Sequence, residues 1–410
     1  MTSLGGIGRR TTVAFVGGPL RLATIAGSVG FSMAGYLATS NMLESLTAAG
    51  ADVSLILSFF PMPAWPRARV LVARGGSETL EDGSPVVRLG YPNVTPLKQI
   101  WLGLSTAVVL MRWGFVHRRD SRRAILCYNL SVPPGYIVWI ASRITHSRMV
   151  AIVYDMDLPG ITVPDSIWHR LDFAQTKALM PRLDAIIGIT EWIARDFAPD
   201  VPSICVPGGI SDSLANRFSA DDCRTRSSLP RVVFAGRLST SNGIGLLLDA
   251  LAAEPDMNVR LQLIGDGPLL ARARSMSQTD VRLEVVGGLP HEAVLSAYAT
   301  ADAIVCLRLQ ETLRTPYLFP SKLIEAMAVG LPLICTIPHN APVEIQSALR
   351  RLAIVVDSEQ SESVVAALKV LTSDGMLEAS RKARMLRLWA IENLSWHTQC
   401  QKMLEFIERL

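Results

Sequence analysis

Charged residues are scarce in this 410-residue chain. Asp, Glu, Lys and Arg make up 19% against 49% hydrophobic residues, and the formal net charge is only +4. So apolar a composition excludes a charge-rich disordered chain, and so small an excess gives no reason to expect a nucleic-acid partner. It suits an anionic ligand or an anionic membrane surface and selects neither. Cysteine is sparse as well: Cys127, Cys205, Cys223, Cys306, Cys335 and Cys400 form no C-x-x-C pair, and no histidine cluster accompanies them. Reduced, buried thiols are therefore expected, as in a cytoplasmic protein. Long clean apolar runs are missing too. Arg9 and Arg10 precede apolar residues in the manner of a signal peptide, but Gly17-Gly18-Pro19 breaks the run. Residues 20–38 are rich in Gly and Ser and include Arg21, and residues 101–116 are short and carry Arg112. No transmembrane helix is expected.

What is present is an alternation of apolar strands and amphipathic helices, which points to α/β architecture with parallel sheets. Strands are expected at 11–16, 52–57, 124–128, 149–154, 185–189 and 203–206, with helices at 33–49, 134–145 and 167–180. A polar stretch at 209–229, with Asp221-Asp222 and a run of Ser, Arg and Thr, reads as a linker. A second series follows it: strands at 231–235, 260–264, 283–286, 303–307, 332–335 and 353–356, with helices at 243–253, 269–276, 291–300, 321–329 and 361–371. The expected domains are 1–208 and 230–388, with residues 389–410 as a terminal helix packing back on the first. A length of 410 residues suits two cores rather than one.

Three segments could carry chemistry. In the stretch from Phe319 to Pro332, Ser321 is the expected N-cap, and Gly330 with Pro332 stops the helix. Such an N-terminus is suited to phosphate, and Glu325, a turn inside, could accept from a ribose diol. An amphipathic helix with an incidental Glu reads equally well. Gly236-Arg237, after an apolar strand, places a guanidinium where it could neutralise a diphosphate; a solvated loop arginine is the plainer alternative. Leu263-Ile-Gly265-Asp-Gly267-Pro268 is a third strand-to-turn segment.

In their order and spacing, Val232-Val-Phe-Ala-Gly-Arg-Leu, Leu263-Ile-Gly-Asp-Gly-Pro, Val286-Gly-Gly-Leu, Ala301-Asp302 and Ser321-Lys-Leu-Ile-Glu-Ala-Met-Ala-Val-Gly-Leu-Pro resemble the donor domain of the family-4 glycosyltransferases. Leu394-Ser395-Trp396 resembles that family's tail, and Leu183-Asp-Ala-Ile-Ile-Gly-Ile-Thr190 is consistent with its first half. The resemblance implies the GT-B architecture: two Rossmann-like domains facing across a cleft, with a C-terminal helix crossing back to the N-terminal domain. It implies sugar transfer from a nucleotide diphosphate sugar to a saccharide or lipid-linked hydroxyl acceptor, with retention and without a cofactor or metal, in polysaccharide or glycolipid synthesis. Arg237 and Lys322 would stabilise the diphosphate leaving group, and Glu325 would bind the ribose. Ser321, Gly236, Asn242 and Gly265 would line the donor site, while Gly17 and Gly18 would line the facing side. The sequence departs from the family's pattern at three positions: Tyr317 replaces the first Glu of the E-x7-E motif, Asn242 a lysine, and Tyr154-Asp155 a histidine. This pattern suits a variant branch with a Ser-Lys helix start, in which Lys322 compensates for Asn242.

Tyr154 and Tyr317 are therefore candidate substrate contacts, and Asp155 is a candidate for orienting acceptor or sugar, with Asp157 second and strand-end capping the plain alternative. Asp155-Met-Asp157 also has the spacing of a metal-binding pair; the metal-free reading is preferred. Residues 99–123 combine Trp101, Trp113 and Phe115 with a basic cluster from Arg112 to Arg123, fitting either an anionic membrane face or a core helix and a solvated loop. A sugar-nucleotide epimerase and a non-catalytic nucleotide-sugar-binding homologue are the alternative functions.

Overall fold

The computed structural model describes residues 10–25, 28, 32–130, 135–218, 229–309, 315–372 and 374–410. The chain divides into two compact units, one of Met1–Val206 with Trp396–Leu410 and one of Pro207–Ser395.

The first unit holds β1 (Thr12–Val16), β2 (Asp52–Phe59), β3 (Val72–Ala73), β4 (Gly76–Thr79), β5 (Pro85–Leu89), β6 (Tyr91–Pro92), β7 (Arg123–Tyr128), β8 (Arg148–Val153), β9 (Ala185–Gly188) and β10 (Ser203–Cys205). Eight form one sheet in the order β10-β9-β8-β7-β1-β2-β5-β4, while β3 and β6 make a small antiparallel ladder. The large sheet is parallel except where β4 meets β5. Its central strands are apolar throughout because both faces are covered: β1 and β9 are buried at every position. The hairpin region 72–92 was not foreseen, since Gly76-Ser-Glu-Thr79 lacks the apolar run of a buried strand.

The helix Leu97–Val116 corrects the expectation of a short segment. It starts four residues earlier than the apolar reading and is long and apolar enough, by length and composition, to cross a membrane. Leu102, Thr106, Leu110 and Trp113 are buried, and the Trp113 indole donates to Ser54 Oγ at 2.8 Å. Leu97, Ile100, Trp101, Leu104, Val108 and Phe115 are exposed.

The C-terminal helix Trp396–Glu408 belongs to the first unit, where it packs on the helix Met33–Ala48. Trp396, Cys400, Met403 and Ile407 form its buried face. The preceding helix, Gly375–Leu394, belongs wholly to the second unit, so the break falls at Ser395 rather than near residue 389.

The second unit contains β11 (Arg231–Ala235), β12 (Arg260–Ile264), β13 (Leu283–Gly287), β14 (Ala303–Cys306), β15 (Leu333–Cys335) and β16 (Ile354–Val355). All pairs are parallel, in the order β13-β12-β11-β14-β15-β16. This is a doubly wound order whose direction reverses between β11 and β14, and open α/β sheets bind ligands outside the carboxyl ends of strands at such a point. A core of Val232, Phe234, Leu247, Leu251, Leu261 and Val305, among others, fixes those strand ends. Residues 207–208, expected in the first domain, and 209–218, expected to open a linker, belong to this unit, and the helix Asp212–Arg217 packs on Ser321–Val329. The expected linker residues 219–228, including Cys223, lie outside the described residues. Cys127, Cys306, Cys335 and Cys400 are free thiols.

Candidate functional site

In the second unit the turns after β11, β12 and β13 are bound to one another through backbone. Gly236 N–H donates to Ile264 O at 2.9 Å, Gly265 N–H to Gly287 O at 2.7 Å, and Leu238 N–H to Asp266 O at 2.9 Å. A Cβ at Gly265 would stand 1.8 Å from Gly236 O, so glycine is required there by close approach. Gly236 and Gly265 thus shape the turns, and Arg237 emerges from them exposed and without an ion pair among the described residues.

Asn242 lies in a 3₁₀ turn five residues on. Its Nδ2 donates to Arg237 O at 2.8 Å and its Oδ1 accepts from Arg308 Nη1 at 2.9 Å. Each end of the amide thus makes one bond within the second unit, which ties the Arg237 turn to Arg308. Gly243 follows with φ +68°, and a Cβ there would meet Leu307 at 2.7 Å.

The helix Ser321–Val329 begins one residue differently from the sequence reading: Pro320 occupies the cap position without a side-chain bond, and Ser321 is the first helical residue. Gly330 ends the helix in the left-handed conformation, φ +81°, as expected. Lys322 Nζ lies 3.4 Å from Glu325 Oε2. The other carboxylate oxygen, Oε1, is buried and has no hydrogen-bond partner. An ionised oxygen so placed is costly unless something donates to it. Tyr317 lies just before this helix, partly buried, with its N–H donating to Thr315 Oγ1 at 3.2 Å. Asn340 Nδ2 fixes the same segment by donating to Pro316 O and Leu318 O at 2.8 and 2.7 Å.

Arg308, two residues beyond β14, was missed by sequence reasoning. Its guanidinium is half-buried, its Nε is buried without a partner, and burial lowers its pKa. Arg308, Lys322 and Glu325 all act on the Cys306 thiol, the two cations lowering and the carboxylate raising a pKa that burial pushes up to about 12. Three charged groups therefore gather at the carboxyl end of β14.

In the first unit, Gly17 and Gly18 follow β1, and both N–H groups donate to Leu57 O, at 2.9 and 3.1 Å. Gly17 has φ +86°, and a Cβ there would stand 2.9 Å from Tyr128 O. The pair therefore sits where the strand order reverses between β1 and β7. Asn129, after β7, adopts φ +51° and accepts from Tyr154 N–H and Asp155 N–H at 2.9 and 3.1 Å. Tyr154 is a core residue: its ring packs on Tyr128 at 5.7 Å, and its hydroxyl is buried without a partner. Asp155 and Asp157 are exposed while Met156 and Leu158 are buried, so both carboxylates lie on the open side of the segment. Although Asp155 reaches solvent, desolvation by surrounding protein raises its pKa, and Asp157 raises it further. Among the described residues no group of three or more His, Cys, Asp or Glu side chains is placed to hold a metal ion.

Residues 229–374 match the family described as glycosyl transferases group 1, a match that falls within the second unit. No curated protein matches the chain. Solved structures resemble it over nearly its whole length. Sucrose-phosphate synthase from Thermosynechococcus elongatus is 17% identical, covering 98% of this chain and 99% of that one, with a TM-score of 0.61. HepE of Anabaena, solved in complex with UDP, is 14% identical, covering 98% and 100%, with a TM-score of 0.62. The catalytic domain of starch synthase IV from Arabidopsis thaliana, bound to ADP and acarbose, is 13% identical, covering 98% and 99%, with a TM-score of 0.60. The fold is the GT-B fold of these enzymes, with a Rossmann-like α/β sheet in each unit.

Proposed function

We propose that this protein is a glycosyltransferase that moves a sugar from a nucleotide diphosphate sugar to a hydroxyl acceptor with retention at the anomeric carbon. The observation that carries the proposal is the Glu325 carboxylate. It stands one turn inside a helix start, beside Lys322, with a buried oxygen that lacks a donor. A ribose diol supplies two such donors, and the helix start beside it favours phosphate. The match of residues 229–374 to glycosyl transferases group 1, and a neighbour solved with UDP, support the same reading.

In this mechanism leaving-group stabilisation dominates, because negative charge develops on the diphosphate as the glycosidic bond breaks. Arg237, exposed and with five N–H donors, would meet that charge in bidentate fashion. Lys322 and the amides at Ser321 would add positive potential from the helix start. Asp155, its pKa raised, would orient a sugar or acceptor hydroxyl from the first unit. The reaction needs no metal in this account, and retention follows the family resemblance.

The acceptor proposed is saccharide or lipid-linked, as in polysaccharide or glycolipid synthesis. The exposed stripe of Leu97, Ile100, Trp101, Leu104 and Val108, with Arg112, Arg118 and Arg119 exposed nearby, supports contact with an anionic membrane face. The test is incubation with nucleotide sugars and acceptors: transfer supports the proposal. Binding without turnover would favour the non-catalytic homologue, and donor isomerisation without acceptor would favour the epimerase.

A further inference from the structure

We infer that Arg308 is a second cation for the donor diphosphate, an inference that rests on the donor-site reading above. Arg237 follows β11 and Arg308 follows β14, so the two guanidinium-bearing segments flank the point where the strand order reverses. The backbone of Arg308 is held on both sides. Its N–H donates to Thr336 Oγ1 at 2.7 Å, the same hydroxyl donates back to Arg308 O at 3.0 Å, and Leu309 N–H donates to Ser241 O at 2.9 Å. Among the described residues, the side chain is aimed by one bond, from Nη1 to Asn242 Oδ1. Only an acceptor at position 242 can do this; a lysine there has none to offer.

The guanidinium has no carboxylate partner among the described residues. Its Nε is buried and unpaired, an arrangement that disfavours the cation unless an anion completes it. A fork of planar N–H donors matches phosphoryl oxygens in pairs. The other charged groups around Cys306 are Lys322, at the helix start suited to phosphate, and Glu325, assigned to the ribose. Arg308 therefore stands beside the place where the phosphates next to that ribose would lie. The alternative is that Arg308 serves only to brace the Asn242 turn.

Nucleoside diphosphates and their parent nucleosides separate the two roles. Affinities for uridine, adenosine and guanosine diphosphates, and for the matching nucleosides by competition, would be measured on the wild-type full chain, Arg308→Gln and Arg308→Lys. For the diphosphate that binds the wild type, Arg308→Gln is expected to lose about ten-fold or more, as for a charged hydrogen bond. Its affinity for the nucleoside should be unchanged, and Arg308→Lys should recover part of the loss. If Arg308→Gln does not fold, Arg308→Lys carries the test, with an intermediate loss confined to the diphosphate. Equal losses for diphosphate and nucleoside, or no loss for either, would overturn the inference while leaving the donor site standing. Failure of the unmodified protein to bind any of the diphosphates would overturn the donor-site reading and this inference with it.

Discussion

The amide of Asn242 joins the two arginine segments of the second unit: Nδ2 donates to the backbone oxygen of Arg237, and Oδ1 accepts from the guanidinium of Arg308. Asn242→Ala would release both. Because the half-buried guanidinium of Arg308 would lose its Asn242 acceptor, a stability loss of about 1–3 kcal/mol is expected. Chemical denaturation of the purified variant measures it directly, and an unchanged midpoint would show that the turn is held by other contacts.

Glu325→Ala should weaken nucleotide-sugar binding by about 2–3 kcal/mol, the value of hydrogen bonds to a charged acceptor. The fold should survive, since the residue's one ion pair among the described residues is with the part-exposed Lys322. Calorimetric titration of wild type and variant with the same donor is the measurement; equal affinities would remove Glu325 from the site.

Arg237→Lys should remain impaired in turnover, because an ammonium keeps the charge and loses the bidentate geometry. Arg237→Ala should be slower still, by roughly 10²-fold or more if the residue meets leaving-group charge. Wild-type rates in Arg237→Ala would end its assignment.

Much of this architecture was legible in the sequence because the strands of a parallel sheet covered on both faces are apolar throughout. β11, β12 and β14 could be read that way, and Gly265 marked a turn whose tight backbone contact the structure explains. Gly330 likewise marked the end of its helix. The hairpin region around β4 and β5 was not legible, since a short, half-exposed edge carries little apolar signal. Arg308 was missed because its placement depends on a partner 66 residues away, and no local pattern encodes that pairing. Tyr154 looked like a site residue from its position after β8, yet the side-chain alternation at the strand end turns it into the core and leaves Asp155 outside.

A pH prediction concerns Asp172 in the first unit. Desolvation, and next the Asp157 charge, raise its pKa from 3.8 to about 6, with His169 opposing. The folded state then binds more protons than the unfolded state between about pH 4 and pH 6, so this group's contribution to stability falls as pH rises through that window. The side chain is partly solvated, which limits the effect to about 1 kcal/mol. Asp172→Asn should flatten the profile there, and denaturation midpoints from pH 4 to pH 7 would show it; parallel profiles for the two proteins would contradict it.

The exposed stripe on the helix Leu97–Val116 should hold the protein on anionic liposomes at low ionic strength and release it as salt rises. Arg112, Arg118 and Arg119 are the arginines to neutralise. Arg123 is tied to Gly114 O and His146 O, and Arg122 lies 3.8 Å from Glu408, so replacing either would disturb the fold's own contacts. A wild type that sediments without liposomes at every salt concentration tested would limit the stripe to another role.

The most direct test of the central claim is a transfer assay in EDTA, with nucleotide diphosphate sugars offered against saccharide and lipid-linked acceptors and the anomeric configuration of the product read by NMR. The expected result is a glycoside with the configuration of the donor, formed at a rate that chelation leaves unchanged. An inverted product would contradict retention. Activity that disappears in EDTA and returns with Mn²⁺ or Mg²⁺ would replace Arg237 and Lys322 with a metal at Asp155 and Asp157.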